Sequence, residues 1–305
     1  MLERLGELYL PFIGWTLVGL LLLRKLPTNF PKVLAQGLYW VGVPLQVLAF
    51  TLRADFTGLL GWVPIIVTLS LVVAWLVSWS LLRWLPPEQH GTFLLASTIG
   101  NTGFVGLAIT PYLLEEKYLA WVVIYSLVHN VVGSYGLGVA IASYYGSKNK
   151  VKNLGEHLKA ILLTPAIWAF GVGWVWKASH WNMTGQMDVE FLADLVPPIA
   201  LVLVGIRLQL KDTENIRTSL LASVSAAVIK VVALPAVVGM ALHFSGLPKD
   251  AVLGMVLQAG MPTAVAGVIL AETYGVTGSQ VVALAIAFSS IGVLFTIPLW
   301  LWLFG

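Results

Sequence analysis

Apolar stretches long enough to cross a lipid bilayer follow one another along the whole of this chain. A spanning helix needs roughly 20 predominantly apolar residues, because the hydrocarbon core of a bilayer is about 30 Å thick. The 305 residues leave almost nothing for a separate soluble domain between these stretches. We therefore expect an all-α integral membrane protein with about ten transmembrane helices, at about 7–24, 33–53, 59–85, 92–114, 118–145, 157–177, 191–210, 217–245, 250–272 and 278–304.

The composition narrows the possible functions. Only 10% of the residues are charged, whereas a soluble domain carries about 25%. The chain has no cysteine, which excludes disulfides, zinc–thiolate sites and iron–sulfur clusters. No cluster of basic and aromatic residues indicates a nucleic-acid partner. Because motifs for nucleotide binding, zinc hydrolysis and serine hydrolysis are also missing, we expect neither an enzyme nor a bound cofactor or metal.

Proline spacing suggests that the two halves of the chain are related. Pro11 and Pro44 are separated by the same 33 residues as Pro165 and Pro198. Each half then contains five spans, and an odd number of spans per repeat forces the repeats into opposite orientations in the membrane. We expect a first five-helix repeat, a cytoplasmic linker and a second, inverted five-helix repeat, at residues 1–145, 146–156 and 157–305.

Basic residues in the loops predict the orientation, because cytoplasmic loops are enriched in Lys and Arg. In the ten-span arrangement one side carries Arg24, Lys25, Lys32, Arg83, Lys148, Lys150, Lys152, Lys159, Lys211 and Arg217. The other side carries Arg4, Arg53, Lys117, Lys177 and Lys249. We therefore expect a multi-pass protein of the cell membrane, with the linker in the cytoplasm and both termini outside it.

The fourth and ninth spans differ from ordinary spanning helices. Both place glycine or proline beside hydroxyl and amide side chains near mid-membrane depth, at 97–106 and 258–267. Each half has a Leu-Pro pair before its broken span, Leu85-Pro86 and Leu247-Pro248, which are 162 residues apart. Shifting the first half by this offset superposes Gly100 on Pro262 and Asn101 on Thr263. Broken helices free backbone polar groups, so they occur where they line a cavity. Matching breaks in two halves indicate a binding site; close packing through small residues is the alternative.

These two segments also carry a family resemblance. The sequence resembles the auxin efflux carrier family, which includes plant PIN proteins and bacterial malonate- or malate-type carriers, and it is most similar to the bacterial type. The similarity lies in Asn-Thr-Gly-Phe-Val-Gly at 101–106, Met-Pro-Thr-Ala-Val-Ala at 261–266 and Ala-Glu-Thr-Tyr-Gly at 271–275. Unlike plant members, the chain has no proline at the first break, which leaves the substrate open.

The resemblance implies a fold and a mechanism. The fold would be that of sodium/proton antiporters, with the broken fourth and ninth helices crossing. Spans 1, 2, 6 and 7 would form a scaffold, and spans 3–5 and 8–10 would move against it in an elevator-type motion. The implied activity is the export of small organic anions that resemble auxin or a dicarboxylate.

Candidate site residues fall into two groups. We expect substrate to contact the two breaks, at Gly100, Asn101, Thr102, Gln258, Met261, Pro262 and Thr263. A second group lies in neighbouring spans and is expected to support the breaks or the coupling of transport: Lys230, His129 and Asn130. An ionisable group inside a span is costly and usually functional, although Lys230 could also snorkel to the surface. Near span ends, snorkelling is the expected explanation for Arg53 and Arg207.

The leading hypothesis is therefore a secondary transporter of small organic anions. We also expect a homodimer in the lipid bilayer. Three alternatives remain open: a channel with the same fold, an intramembrane enzyme that uses His129 with a nearby serine, and a receptor that does not transport. The sequence does not distinguish proton coupling, sodium coupling and uncoupled transport.

Overall fold

The computed structural model describes residues 10–11, 13–22, 26–27, 29–54, 56, 60–147, 155, 162–179, 186–207 and 216–305. Within these ranges the chain is helical and forms no β-strand. Most of the predicted linker, including Lys148, Lys150 and Lys152, lies outside the described residues. Six helices of the described part are long and apolar enough to cross a membrane, at Phe30–Arg53, Trp62–Trp84, Glu116–Tyr145, Asp188–Ile206, Ser219–His243 and Ser279–Phe304.

The helices are labelled in chain order. The first, α1, includes residues 10–11 and 13–17 and ends at Val18–Leu22. It is followed by α2 (Phe30–Arg53), α3 (Trp62–Trp84), α5 (Glu116–Tyr145), α6 (Pro165–Ala178) and α10 (Ser279–Phe304). Helix α7 consists of Gln186–Asp194 and Val196–Arg207, and α8 begins with Ile216–Val228 and ends at His243.

Two helices are broken where the sequence predicts. Helix α4a (His90–Thr98) ends before Ile99, and the helical backbone resumes in α4b (102–113). Helix α9a (Lys249–Ala259) ends before Gly260, and α9b (Ala266–Tyr274) begins six residues later. Proline lacks a backbone N–H and clashes with the preceding turn, so Pro262 prevents α9a from continuing into α9b.

Wide π-helical turns occur in several helices, at Val18–Leu22, Leu38–Gly42 and Thr102–Gly106 among others, and two helices have them at the candidate support residues. In α5 such turns extend from His129 to Gly138. In α8 they occupy Ile229–Ala233, which includes Lys230. Inserted π turns are rare and frequently mark functional sites, because they redirect side chains within a helix.

Helices α1, α2, α6 and α7 pack against one another. Both α6 and α7 lie along α2, and α1 lies along α7. A Cβ at Gly19 would be 2.1 Å from the Val202 carbonyl oxygen, so the backbones of α1 and α7 are in direct contact. Arg53 at the end of α2 forms an ion pair with Glu190 of α7 at 2.8 Å. Arg53 thus has a carboxylate partner at the end of its span, and the expectation that it snorkels stays a prediction; the side chain of Arg207 lies outside the described residues.

Helices α3, α4a, α5, α8 and α10 form further contacts with one another and with α9b. At one end, α9b stops at Gly275, whose φ of 67° is a left-handed conformation that glycine adopts without strain. The Gly275 carbonyl accepts a hydrogen bond from Ser147, just beyond α5, at 3.1 Å. Thr277 donates to the Glu88 carbonyl at 2.7 Å. These hydrogen bonds join the segments next to the ends of α4a, α5 and α9b.

Candidate functional site

The two helix breaks hydrogen-bond to each other. Gly100 and Thr263 form an antiparallel bridge. The Asn101 N–H donates to the Pro262 carbonyl at 2.7 Å, and the Ala264 N–H donates to the Ile99 carbonyl at 2.9 Å. Backbone groups without a partner are costly in hydrocarbon. The breaks therefore stabilise each other, and neither is a local irregularity of one helix.

Side chains donate hydrogen bonds to backbone carbonyls at the carboxyl ends of α4a and α9a. Thr263 Oγ1 donates to the Ala96 carbonyl near the end of α4a at 2.8 Å. Lys230 Nζ donates to the Ala259 carbonyl at the end of α9a at 3.2 Å. The carboxyl end of a helix carries partial negative charge. Both negative ends at the crossing are thus occupied by donors of the protein itself.

Lys230 lies directly behind Gly100. Its side chain is fully buried, and a Cβ at Gly100 would be 2.6 Å from Lys230 Cε and 2.7 Å from Nζ. Only a residue without a side chain leaves this space to the lysine. In the described part of the chain the ion pairs are Arg53–Glu190 and Lys117–Glu115, so no carboxylate there neutralises Lys230.

His129 and Asn130 approach the first break from α5. The Gly100 N–H donates to His129 Nε2 at 3.4 Å, and the buried imidazole stacks on the ring of Tyr125. Asn130 Nδ2 donates to the Ser126 carbonyl at 2.9 Å. A Cβ at Gly103 would be 3.5 Å from Asn130 Nδ2, so the amide lies against the first turn of α4b.

The amino ends of the two half-helices are also at the crossing. Asn101 caps α4b, because its side-chain oxygen accepts a hydrogen bond from the Phe104 N–H at 3.2 Å. Helix α9b has no side-chain cap at Val265. The amino end of a helix carries partial positive charge and binds anions.

A cavity of about 1080 Å³ lies against this crossing. It extends from exposed residues at the helix ends, among them Pro27 and Thr273, to the buried Gly100 and Asn101. Tyr39 and Thr164 contribute to its opposite wall, and the N-terminal residues of α9b line it directly. Among the described residues that line the cavity, the charged ones are Lys32 and Glu272.

Comparison with protein families identifies the chain. The family described as "membrane transport protein" matches residues 40–301, which is most of the sequence. The chain belongs to this family. It is the family of the auxin efflux carriers, as the two motifs predict. A comparison with curated proteins found no match.

The predicted site residues of this membrane transport protein lie in three locations relative to the cavity and the crossing. Gly100, Asn101 and Asn130 line the cavity. Others are buried in or behind the crossing, namely Thr102, Met261, Pro262, Thr263, Lys230 and His129. Gln258 is fully buried and lies against Gly106 of α4b. A Cβ added at Gly106 would be 2.4 Å from the Oε1 atom of Gln258. Substrate contact by the seven residues of the breaks stays a prediction, and so does the supporting or coupling role of Lys230, His129 and Asn130.

Sequence reasoning missed several residues that hold the crossing. Ser289 Oγ of α10 accepts a hydrogen bond from the Thr263 N–H at 3.0 Å. The Tyr39 and Tyr135 hydroxyls are 2.5 Å apart and join α2 to α5 across the cavity. The pair Ser289-Ser290 in the middle of a predicted span is a signal that could have identified the first contact.

Proposed function

We propose that this membrane transport protein is a secondary transporter of small organic anions, and that the anion binds at the crossing of α4 and α9. The observation that supports this most strongly is the asymmetry of charge at the crossing. Both negative helix ends are occupied by Lys230 and Thr263. The amino end of α9b has no side-chain cap and lines the cavity.

The buried lysine adds to the same effect. A charge inside a low-dielectric protein acts more strongly than one in water. Lys230 is separated from the cavity by Gly100, which has no side chain to increase that separation. An anion at Gly100 and Asn101 would be attracted by this ammonium group and would accept hydrogen bonds from the Asn101 and Asn130 amides.

The mechanism we propose is alternating access by an elevator-type motion, in a fold of two inverted five-helix repeats. The paired breaks support it: the 162-residue offset relates Gly100 to Pro262 and Asn101 to Thr263, and these four residues meet at the bridge. Transport helices α3–α5 and α8–α10 would move as an elevator against the scaffold of α1, α2, α6 and α7. We further propose a homodimer in the cell membrane.

The proposed orientation places both termini outside the cytoplasm. Single cysteines at Gly6 and at Lys150 would then be labelled from opposite faces by a membrane-impermeant thiol reagent. The chain has no native cysteine, so the background of this measurement is low. Labelling of both positions from the same face would contradict the ten-span topology.

Two measurements test the transport function. Purified protein is first screened by thermal shift against a panel of organic acids, because a ligand that binds only the folded state raises the Tm. The best acid is then used in proteoliposomes, where a carrier shows saturable uptake that is accelerated by the same acid inside the vesicle. Flux without saturation or exchange would indicate a channel, and no flux with intact binding would indicate a receptor.

Asn101→Ala is the decisive variant in this assay, and Ser78→Ala is its matched control. Ser78 is equally inside the membrane region, but its hydroxyl donates to Ala74 of its own helix. The control should transport like the wild type. Equal flux in Asn101→Ala would place the binding site elsewhere.

A further inference from the structure

The described residues that line the cavity reach the crossing from one side of the molecule. It begins at Pro27 and Thr273 and ends at Gly100 and the start of α4b. Three segments continue beyond the crossing on the opposite side: the rest of α4b, helix α9a, and the second half of α2 up to Arg53. A transporter that exposes one site alternately to two sides needs a second access path, between these three segments. We refer to the part of the protein that they form as the closed region.

Gln258 of α9a is an anomaly in the closed region. Its side chain is 0% exposed, and neither its Oε1 nor its Nε2 atom has a hydrogen-bond partner among the described residues. The amide lies on Gly106, where any Cβ would overlap with it. Buried polar side chains are nearly always hydrogen-bonded, so each exception requires an explanation.

Thr110 of α4b is a second such group. It follows Gly106 by four residues, about one helical turn, and so it lies near the same face of α4b. The Thr110 side chain is also 0% exposed, and its Oγ1 atom has no partner in the described part of the chain.

Gln46 of α2 is the third. Its Nε2 atom donates to the Leu107 carbonyl at 3.5 Å. In a regular helix this carbonyl would accept from the residue four positions later, but that residue is Pro111, which has no N–H. The Gln46 Oε1 atom has no partner among the described residues, although the side chain is fully buried.

Each of the three polar side chains is adjacent in sequence to a member of one apolar core cluster, namely Val47, Ile109 and Leu257, and the cluster also includes Phe50 and Met255. The cluster includes buried residues of α2, α4b and α9a, so apolar packing joins these three helices. Gln46, Thr110 and Gln258 thus have hydrogen-bonding capacity that no described residue uses.

We propose that Gln46, Thr110 and Gln258 line the second access path, which is closed in this structure. When the helices of the crossing move against α2, water and then substrate reach these side chains and complete their hydrogen bonds. Gln46 lies on the scaffold side of this path, and Thr110 and Gln258 lie on the transport side. The inference rests on the proposed transport function.

Single cysteines in the otherwise cysteine-free chain test this proposal. Gln46→Cys, Thr110→Cys and Gln258→Cys are each reconstituted in proteoliposomes and treated with a membrane-impermeant thiol reagent on one face at a time. Ser134→Cys, which lines the open cavity, reports the face of that cavity. Thr51→Cys is the matched negative control: Thr51 is as deeply buried on the same helix as Gln46, but its Oγ1 donates to Val47 and it packs on Gly173 of α6.

The three test cysteines should be labelled only from the face opposite to that which labels Ser134→Cys. Because a minor conformation is typically populated at roughly 0.1–10%, labelling should be about 10- to 1000-fold slower than at Ser134→Cys. Thr51→Cys should remain unlabelled. Three positions are used so that one misfolded variant, recognised by its elution in size-exclusion chromatography, does not decide the result.

Two outcomes would overturn the proposal. If the test cysteines are as unreactive as Thr51→Cys while the protein exchanges an organic acid, the three side chains are structural and the path lies elsewhere. If they are labelled from the same face as Ser134→Cys, they belong to the cavity already described. If the test cysteines are labelled from the opposite face but the protein exchanges no organic acid, the proposed transport function is contradicted. The second access path is supported in that case.

Discussion

The two breaks at the crossing occupy equivalent positions but are built differently. The first is short, contains no proline, and places the Asn101 side chain both as a helix cap and as part of the cavity wall. The second contains Pro262, is longer, and presents the uncapped backbone of α9b to the cavity. The polar side chain of the second break, Thr263, donates a hydrogen bond to the Ala96 carbonyl of α4a. The two breaks therefore present different groups to the cavity, a side-chain amide at the first and the backbone of a helix end at the second.

The largest expected difference concerns the glycines of the two breaks. In Gly100→Ala the new Cβ would lie 2.6 Å from Lys230 Cε, whereas in Gly260→Ala the nearest atoms, of Pro235, are at 3.3 Å. Overpacking a filled core typically costs about 1–3 kcal/mol. We expect Gly100→Ala to lose most of its flux, because Lys230 must move, and Gly260→Ala to keep most of it. Exchange and Tm measured on both variants check this, and equal losses would remove the distinction between the breaks.

The second comparison concerns Lys230, which contacts both breaks. Its Nζ donates to the Ala259 carbonyl before the second break, and its side chain lies against Gly100 in the first. Lys230→Met should lose transport, since the fixed positive charge behind Gly100 disappears. The Ala259 carbonyl loses its donor in this variant, but an apolar side chain of similar size removes the larger cost of burying the charge, so the Tm should be unchanged or higher. Lys230→Gln retains a donor for the Ala259 carbonyl and should be intermediate in flux.

The alternative for Lys230 is an essential carboxylate partner outside the described residues. Removing one member of a buried pair is destabilising by about 3–5 kcal/mol. A large fall in the Tm of Lys230→Met would therefore indicate such a partner, and normal flux in the same variant would end the functional role of this lysine.

The third comparison is between the polar side chains of the breaks. Asn101→Ala and Thr263→Ala should both reduce transport, but through different steps. Loss of the Asn101 amide should weaken substrate affinity by a factor of roughly 5 to 150, the equivalent of about 1–3 kcal/mol. Thr263→Ala leaves the Ala96 carbonyl without its donor, so its main effect should be a lower Tm. Concentration dependence of exchange separates the two, and an unchanged half-saturation concentration in Asn101→Ala would argue against contact with substrate.

Much of this architecture could be predicted from the sequence. Apolar length predicted the long membrane-spanning helices, and six of them are present in the described residues. Glycine and proline together with polar side chains predicted both breaks, because glycine weakens a helix and proline removes a backbone donor from it. The inverted five-plus-five repeat and the division into scaffold and transport helices stay predictions.

The direction of individual side chains could not be predicted. Gln258 was grouped with Thr263 because they are close in sequence, yet Gln258 lies on α4b beyond the crossing and Thr263 contacts the end of α4a. The sharp bend after α9a separates them, and its geometry depends on the pairing with the other break. Ser289 was missed for the related reason that its contact with Thr263 joins residues far apart in the chain.

The charge of the ligand is the most direct test of the crossing as an anion site. The best acid from the thermal-shift screen is compared with its uncharged primary amide, which has nearly the same shape, on the wild type and on Lys230→Met. We expect the acid to raise the Tm of the wild type, the amide to have little effect, and the difference to shrink in the variant. Equal stabilisation by acid and amide would contradict the central claim that positive potential at the crossing selects the substrate.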